Sequence, residues 1–231
     1  MGSLQVHATR ADNAIAYVTP NYEGLFAIIA YTSSLIGQER AYNTGDIRDS
    51  VAQVNYVMGP VSATLNYEHL VVHNSPVNAK INVYVAAAWY DFGVAKITGY
   101  YEHVKTNTDN GTPIAAVGAS TALNDQSSWM IGGIVPITEN DNVRASYIDY
   151  TDKAGHVDGS KNSCRKWGLG GTHFLSKRTN LFVDFASITQ RDKGACTIYY
   201  TPTAASGDAG AGSNTTGVGT RGFDMGIVHR F

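Results

Sequence analysis

The connections in this chain come in two kinds, and the two strictly alternate. Tight ones stand at Pro20-Asn21-Tyr22, Gly59-Pro60, Gly93, Glu139-Asn140-Asp141 and Ser176-Lys177-Arg178. The others are long and polar, such as Leu35–Ile47, Asn107–Ser127, Gly155–Ser163 and the glycine-rich Arg191–Thr220. The segments they join carry period-two alternation and almost no helical periodicity. That pattern predicts strands at 13–19, 23–33, 48–58, 60–72, 80–92, 94–106, 128–138, 142–152, 164–174, 179–190 and 221–231. An up-and-down meander of these strands gathers every tight turn at one end and every long loop at the other. A soluble sandwich has no physical reason for that segregation. A barrel in an outer membrane has one, with short periplasmic turns and long external loops.

Strand length and face composition lead the same way. Most of the predicted strands exceed the ~5–6 residues usual in globular proteins and match the ~9–11 of a tilted strand crossing a bilayer. In VSATLNYEH, Val61, Ala63, Leu65 and Tyr67 share one face and Ser62, Thr64, Asn66 and Glu68 the other. In VAKITGYYEH, Ala95, Ile97, Gly99 and Tyr101 oppose Lys96, Thr98, Tyr100 and Glu102. In TNLFVDF, Leu181, Val183 and Phe185 oppose Asn180, Phe182 and Asp184. Soluble antiparallel sheets alternate too, so this feature is shared. Tyr17, Tyr22, Tyr56, Tyr90, Phe92, Trp129, Tyr150, Trp167 and Phe174 near strand ends supply candidate interfacial girdles. Charged residues make up only 16% of the 231, and glycine (24) and tyrosine (14) are abundant. The formal net charge of −2 gives no reason to expect nucleic acid as a partner. No run approaches the ~18 apolar residues of a spanning helix, and a secretory signal is absent or already removed.

Enzymatic readings find little support. The seven histidines are scattered, no G-x-S-x-G or H-E-x-x-H motif occurs, and the glycine-rich 206–219 has no helix after it. Catalytic residues, metal ligands and cofactors are therefore all expected to be absent. Cys164 and Cys196 match no metal spacing, and they read either as two unrelated small apolar residues or as one disulfide.

Four segments bring in a family. RADNAIAYVTPNYEGL (10–25), AAAWYDFGVAKITGYYEH (86–103), GLGGTHFLSKRTNLFVDFA (168–186) and the ending MGIVHRF run in order along the chain. In them the chain resembles the trimeric general porins of Gram-negative outer membranes, in particular the β-proteobacterial group. The resemblance implies an all-β, antiparallel up-and-down transmembrane barrel, with about eleven strands present of an expected sixteen. Residues 1–231 would form a single domain, with 1–12 as the tail of the inward-folded constriction loop and 13–231 as strands six to sixteen. An odd strand count suits a truncated barrel, since single-chain bacterial barrels have even numbers. In the alternative, LQVHATR (4–10) is a twelfth strand that closes a smaller barrel.

The resemblance further implies passive diffusion of small hydrophilic solutes and ions through a water-filled channel, with a tendency toward anions. Carried over by position, Arg10, Lys96 and Arg144 would face the lumen as cations, and Glu68, Glu102 and Asp184 as anions. Ala16 and Val18 stand where relatives often carry a charge, which weakens the case for anion preference. Arg48 and Arg165, at strand ends, read as rim or loop charges. Ile227, His229, Arg230 and Phe231 resemble the terminal signal read by the barrel-assembly machinery, with Phe223, Met225, Ile227 and Phe231 toward lipid and His229 among them. The implied partners are the lipid bilayer, further copies in a homotrimer of the full-length protein, the barrel-assembly machinery, and the permeating small hydrophilic solutes and ions. The predicted strands also favour the disulfide, because residue 164 pairs near 190 and a loop can return Cys196 to bonding distance. Two other classes stay open: a soluble or surface-displayed all-β binding or adhesion module, and an outer-membrane barrel enzyme.

Overall fold

The computed structural model describes residues 11–35, 46–73, 78–109, 125–153, 161–192, 196 and 220–231. Arg10, the 4–10 segment and the 206–219 stretch lie outside the described residues. Eleven strands form one antiparallel sheet in chain order. They are β1 (Ala14–Val18), β2 (Leu25–Thr32), β3 (Asp46–Met58), β4 (Val61–His73), β5 (Ala79–Asp91) and β6 (Lys96–Thr108). There follow β7 (Asp125–Pro136), β8 (Asp141–Asp152), β9 (Asn162–Ser176), β10 (Thr179–Asp192) and β11 (Arg221–His229). Every predicted strand is present, and β1 and β11 are the two edges of the sheet.

The tight turns use the residues such turns require. Gly93, at φ +79°, joins β5 to β6, and its N–H donates to the Asp91 carboxylate at 2.9 Å. Gly24, at φ +89°, packs so closely on β3 that a Cβ there would stand 2.5 Å from the Val57 carbonyl oxygen. Both positions need glycine, because other residues pay steric strain at such angles.

The register separates two faces that differ sharply in chemistry. One carries Val61, Ala63, Leu65 and Tyr67 on β4, Trp129, Ile131, Gly133 and Val135 on β7, and Leu181, Val183 and Phe185 on β10. This outward face is apolar and largely exposed. On β7 its apolar run extends from Trp129 through Ile137, eight residue steps.

From β4 to β11 each apolar run stops at an aromatic on the side of the long connections. Tyr67 pairs with Tyr84, Tyr101 with Trp129, Tyr147 with Trp167, and Phe185 with Phe223. Each successive pair lies two residues lower on the ladder. Tyr84 opposes His103, so Tyr101 is one outward position below it, and the same offset recurs from Trp129 to Tyr147 and from Trp167 to Phe185. The rings touch across the first pair, with centroids 5.0 Å apart for Tyr67–Tyr84, and along the diagonal, 5.4 Å apart for Trp129–Tyr147 and 5.3 Å for Trp167–Phe185. A descent of one residue (~3.4 Å) per strand (~4.8 Å) makes the line level when the strands tilt by about 35°. At that tilt the run on β7 spans about 22 Å, close to the ~25 Å apolar band of a membrane barrel.

Beyond the aromatic line the polarity reverses. The next outward positions are His69, Asn82, His103, Ser127, Asp149, Arg165, Ser187 and Arg221, all polar. The opposite face turns apolar there: Ile47, Leu70, Val72, Ala79, Ile81, Val83 and Val104 bury one another together with Leu35. This reversal explains why several strands run beyond their predicted ends, β3 starting at Asp46 and β6 reaching Thr108. The backbone ladder continues past the bilayer while the side-chain pattern changes phase. Two aromatics also differ from expectation. Tyr150 and Phe174 share the parity of Arg144 and Thr172, so they lie on the enclosed face rather than in a girdle.

Candidate functional site

The face opposite the apolar one is the candidate working surface. Five of the charged residues singled out above lie on it: Lys96, Arg144, Glu68, Glu102 and Asp184. Their local settings differ widely.

Arg144 and Asp184 form the strongest contact on this face. Arg144 Nη2 donates to both Asp184 carboxylate oxygens, at 2.8 and 2.6 Å, and Nε donates to Oδ1 at 3.1 Å. Nη1 donates to Thr172 Oγ1 at 2.8 Å. The two residues stand on β8 and β10 and meet across β9, where the intervening position is Gly170. A Cβ at Gly170 would lie 1.9 Å from Asp184 Oδ1 and 2.9 Å from Arg144 Nε. The glycine therefore makes the bridge possible. Both partners remain about 40% exposed (41% and 40%), so the pair adds little to stability while cancelling local charge.

Lys96 is also compensated. Its Nζ lies 3.5 Å from Asp91 Oδ2 and 4.2 Å from the centroid of the Trp89 ring, a cation–π contact. Glu102 shares the face but is only 4% exposed, and the Tyr100 hydroxyl donates to its carboxylate. Glu68 stands against Asp49 near the apolar cluster. These two carboxylates belong to the packed end of the wall more than to an open surface.

One cation was not singled out from the sequence. Lys166 lies on the enclosed face between Ile148 and Ile188. Its neighbours carried the signal, since Trp167 and Leu169 belong to the apolar face and position 166 must oppose them.

The disulfide joins Cys164 to Cys196, with the two Cα atoms 6.3 Å apart. Cys164 pairs with Tyr150 and Gln190 and so belongs to the enclosed face. Cys196 is held there a second time: the Gln190 amide donates to its carbonyl, and its N–H donates to Gln190 Oε1 at 3.1 Å. The start of the last long connection is thereby tied to the inner side of the wall. At the other end, Ile227 and Phe231 are exposed on the apolar face. His229 Nδ1 lies 2.8 Å from Thr179 Oγ1, and the Arg230 N–H donates to the Arg178 carbonyl at 2.9 Å. Among the described residues no group of His, Cys, Asp and Glu is arranged to hold a metal ion.

A long-stranded meander that is apolar outside, polar inside and bounded by an aromatic line is the wall of a transmembrane β-barrel. Comparison with known proteins specifies which kind. Residues 2–193 match the family described as Gram-negative porin, and the chain belongs to that family. It is 29% identical over 224 residues to outer membrane porin protein 32 of Delftia acidovorans, covering 96% of this chain and 57% of that one. To an outer membrane porin protein of Bordetella pertussis it is 27% identical over 207 residues, covering 79% and 53%. Among solved structures, the anion-selective porin from Comamonas acidovorans matches with 27% identity and a TM-score of 0.64, over 81% of this chain and 51% of that one. In-vitro-folded OmpT of Vibrio cholerae, at 12% identity, shares the fold with a TM-score of 0.66 over 98% and 66%. The chain thus spans about half the length of the curated relatives it matches.

Proposed function

We propose that this chain forms the wall of a general diffusion channel in the outer membrane, through which small hydrophilic solutes and ions pass passively. The observation that carries this reading is the division of one sheet into an apolar outer face and a charged inner face. A soluble binding module would not expose Leu65, Ile131, Leu169 and Met225 to water, and membership of a porin family speaks against an enzyme. Assembly as a homotrimer and recognition of the ending by the barrel-assembly machinery belong to the same reading. In a planar bilayer the protein is expected to give stepwise ion conductance. A protein correctly inserted but without conductance steps would defeat the proposal.

The charge preference of this wall follows from its pairs. The described enclosed face carries Asp49, Glu68, Glu102 and Asp152 toward the long connections and Asp91, Asp184 and Asp224 toward the tight turns. Against these stand Lys96, Arg144 and Lys166, the first two already paired. Asp49, Glu102 and Asp152 are buried, and Glu68 packs against Asp49. The open wall therefore balances Asp91, Asp184 and Asp224 against Lys96, Arg144 and Lys166, and the first reading is a channel of weak charge preference. The second reading, anion preference, is favoured by the likeness to an anion-selective porin and would draw on cations other than these. The reversal potential in a salt gradient decides between the two.

Whichever reading holds, Asp184→Asn should move the reversal potential toward anions. The substitution leaves the Arg144 guanidinium uncompensated beside the water-filled path. A unit charge about 7 Å from a permeating ion in water contributes about 0.6 kcal/mol, or about threefold in local anion concentration. An unchanged reversal potential would mean that the pair stands outside the conducting path.

A further inference from the structure

On the outward face, immediately beyond the Tyr147–Trp167 aromatic pair, lies a cluster of charge that the channel reading does not use. Asp149 and Arg165 oppose each other there on β8 and β9. Arg165 Nε donates to Asp149 Oδ2 at 3.3 Å. From β10, Arg191 Nη2 reaches across β9 and donates to both Asp149 oxygens at 2.8 Å. One carboxylate, 17% exposed, thus serves two guanidinium groups, and the Arg165 side chain remains 51% exposed. Farther out on the same side, Lys153 follows the end of β8 and Lys161 precedes β9, both exposed. Two further carboxylates stand nearby: Asp192 accepts from the hydroxyl of Ser163, the ladder partner of Arg191, at 2.7 Å, and Asp125, which opposes Lys105, lies 4.0 Å from His103. Among the described residues, Arg165, Arg191, Lys153 and Lys161 therefore outnumber the carboxylates Asp149, Asp192 and Asp125 around this point.

We propose that this patch binds the phosphorylated headgroup of a membrane lipid. Its position selects the ligand. The patch lies on the lipid-facing side of the wall, one outward step above the aromatic boundary, which is the headgroup level of a bilayer. A lipid whose chains lie along Ile131, Tyr147 and Leu169 brings its phosphate to Arg165 and Arg191. Guanidinium groups bind phosphate through paired N–H donors, and the cluster has donors and positive charge beyond what Asp149 consumes. Lys153 and Lys161 extend the cationic surface outward, suited to a headgroup with more than one phosphate. The proposal requires the outward face to meet lipid and is independent of what the lumen conducts.

The protein's tryptophans make the test direct. Of the three in the chain, Trp129 and Trp167 flank the patch on the outward face and Trp89 faces the other way. The full chain is inserted into phosphatidylcholine vesicles containing a small fraction of phosphatidic acid with a quencher on its acyl chain. Quenching is compared with that from phosphatidylcholine carrying the same quencher. The phosphatidic acid is expected to quench more strongly at equal fraction, which reports its enrichment around the patch. Arg165→Gln, and separately the surface pair Lys153→Gln and Lys161→Gln, should each reduce that enrichment, by about fivefold per charge removed. The circular dichroism of the strands should stay unchanged, and inorganic phosphate in the buffer should not displace the lipid.

Equal quenching by the two labelled lipids would overturn the proposal, as would enrichment that persists in both variants. Displacement by inorganic phosphate alone would mark a free-anion site instead. A change of oligomeric state in the lysine variant would mark a contact between copies. Conductance is measured on the same samples, so failure of the lipid site is distinguishable from failure of the channel reading.

Discussion

Val183→Arg is expected to destabilise the inserted protein by about 2–4 kcal/mol, while Ser146→Arg on the other face costs less than about 1 kcal/mol. Val183 stands midway between Leu181 and Phe185 on β10, flanked across the ladder by Gly171 and Met225. Its side chain is exposed on the apolar face, so a guanidinium there is placed against hydrocarbon. Ser146 lies between Gly132 and Gly168 on the enclosed face, where an arginine meets water. The check is reversible unfolding of both variants in lipid vesicles, read as the shift in denaturant midpoint. Similar costs at the two positions would contradict the assignment of the faces, and with it the membrane orientation of the sheet.

Loss of the disulfide should be comparably large. Cys164 and Cys196 close a loop of 32 residues, for which the chain-entropy account gives about 3–4 kcal/mol. The benefit arises in the unfolded chain, which the bond restricts. The native residues near it are already aligned by the ladder between β9 and β10 and by the Gln190 contacts to Cys196. Unfolding in detergent with and without reductant should therefore show a lower midpoint for the reduced protein. In a Cys164→Ser, Cys196→Ser double variant the reductant should have no effect. Identical midpoints for the reduced and oxidised wild type would show that the bond restricts nothing that matters to folding.

The strands and their order were legible because length, alternation and connection type are each local properties. The outward face was legible for the same reason, from Val61 to Tyr67 and from Leu181 to Phe185. The ends of β3 and β6 were not, because the alternation changes phase where the wall leaves the bilayer and pattern reading takes a phase change for a strand end. The parity of Tyr150 was available from Arg144 on the same strand, yet its place near a strand end outweighed it. Lys166 was equally available from Trp167. What no single sequence could show is the meeting of Arg144 with Asp184, forty positions apart and separated by a strand. The glycine between them is its only trace, and a glycine in a strand has many uses. The burial of Glu102 was hidden likewise, since it depends on Tyr100 and on packing at the long-connection end rather than on its own alternation.

The regular descent of the aromatic pairs has an architectural consequence. From β4 to β11 every pair joined by a long connection is offset from the last by the same two residues, so each of these four hairpins carries its own statement of where the membrane begins. Thickness and slope are then written into the repeating unit, and the number of units governs only the circumference. A wall of this kind can gain or lose hairpins over evolutionary time and still sit at the same depth, because no distant part of the chain has to be told of the change.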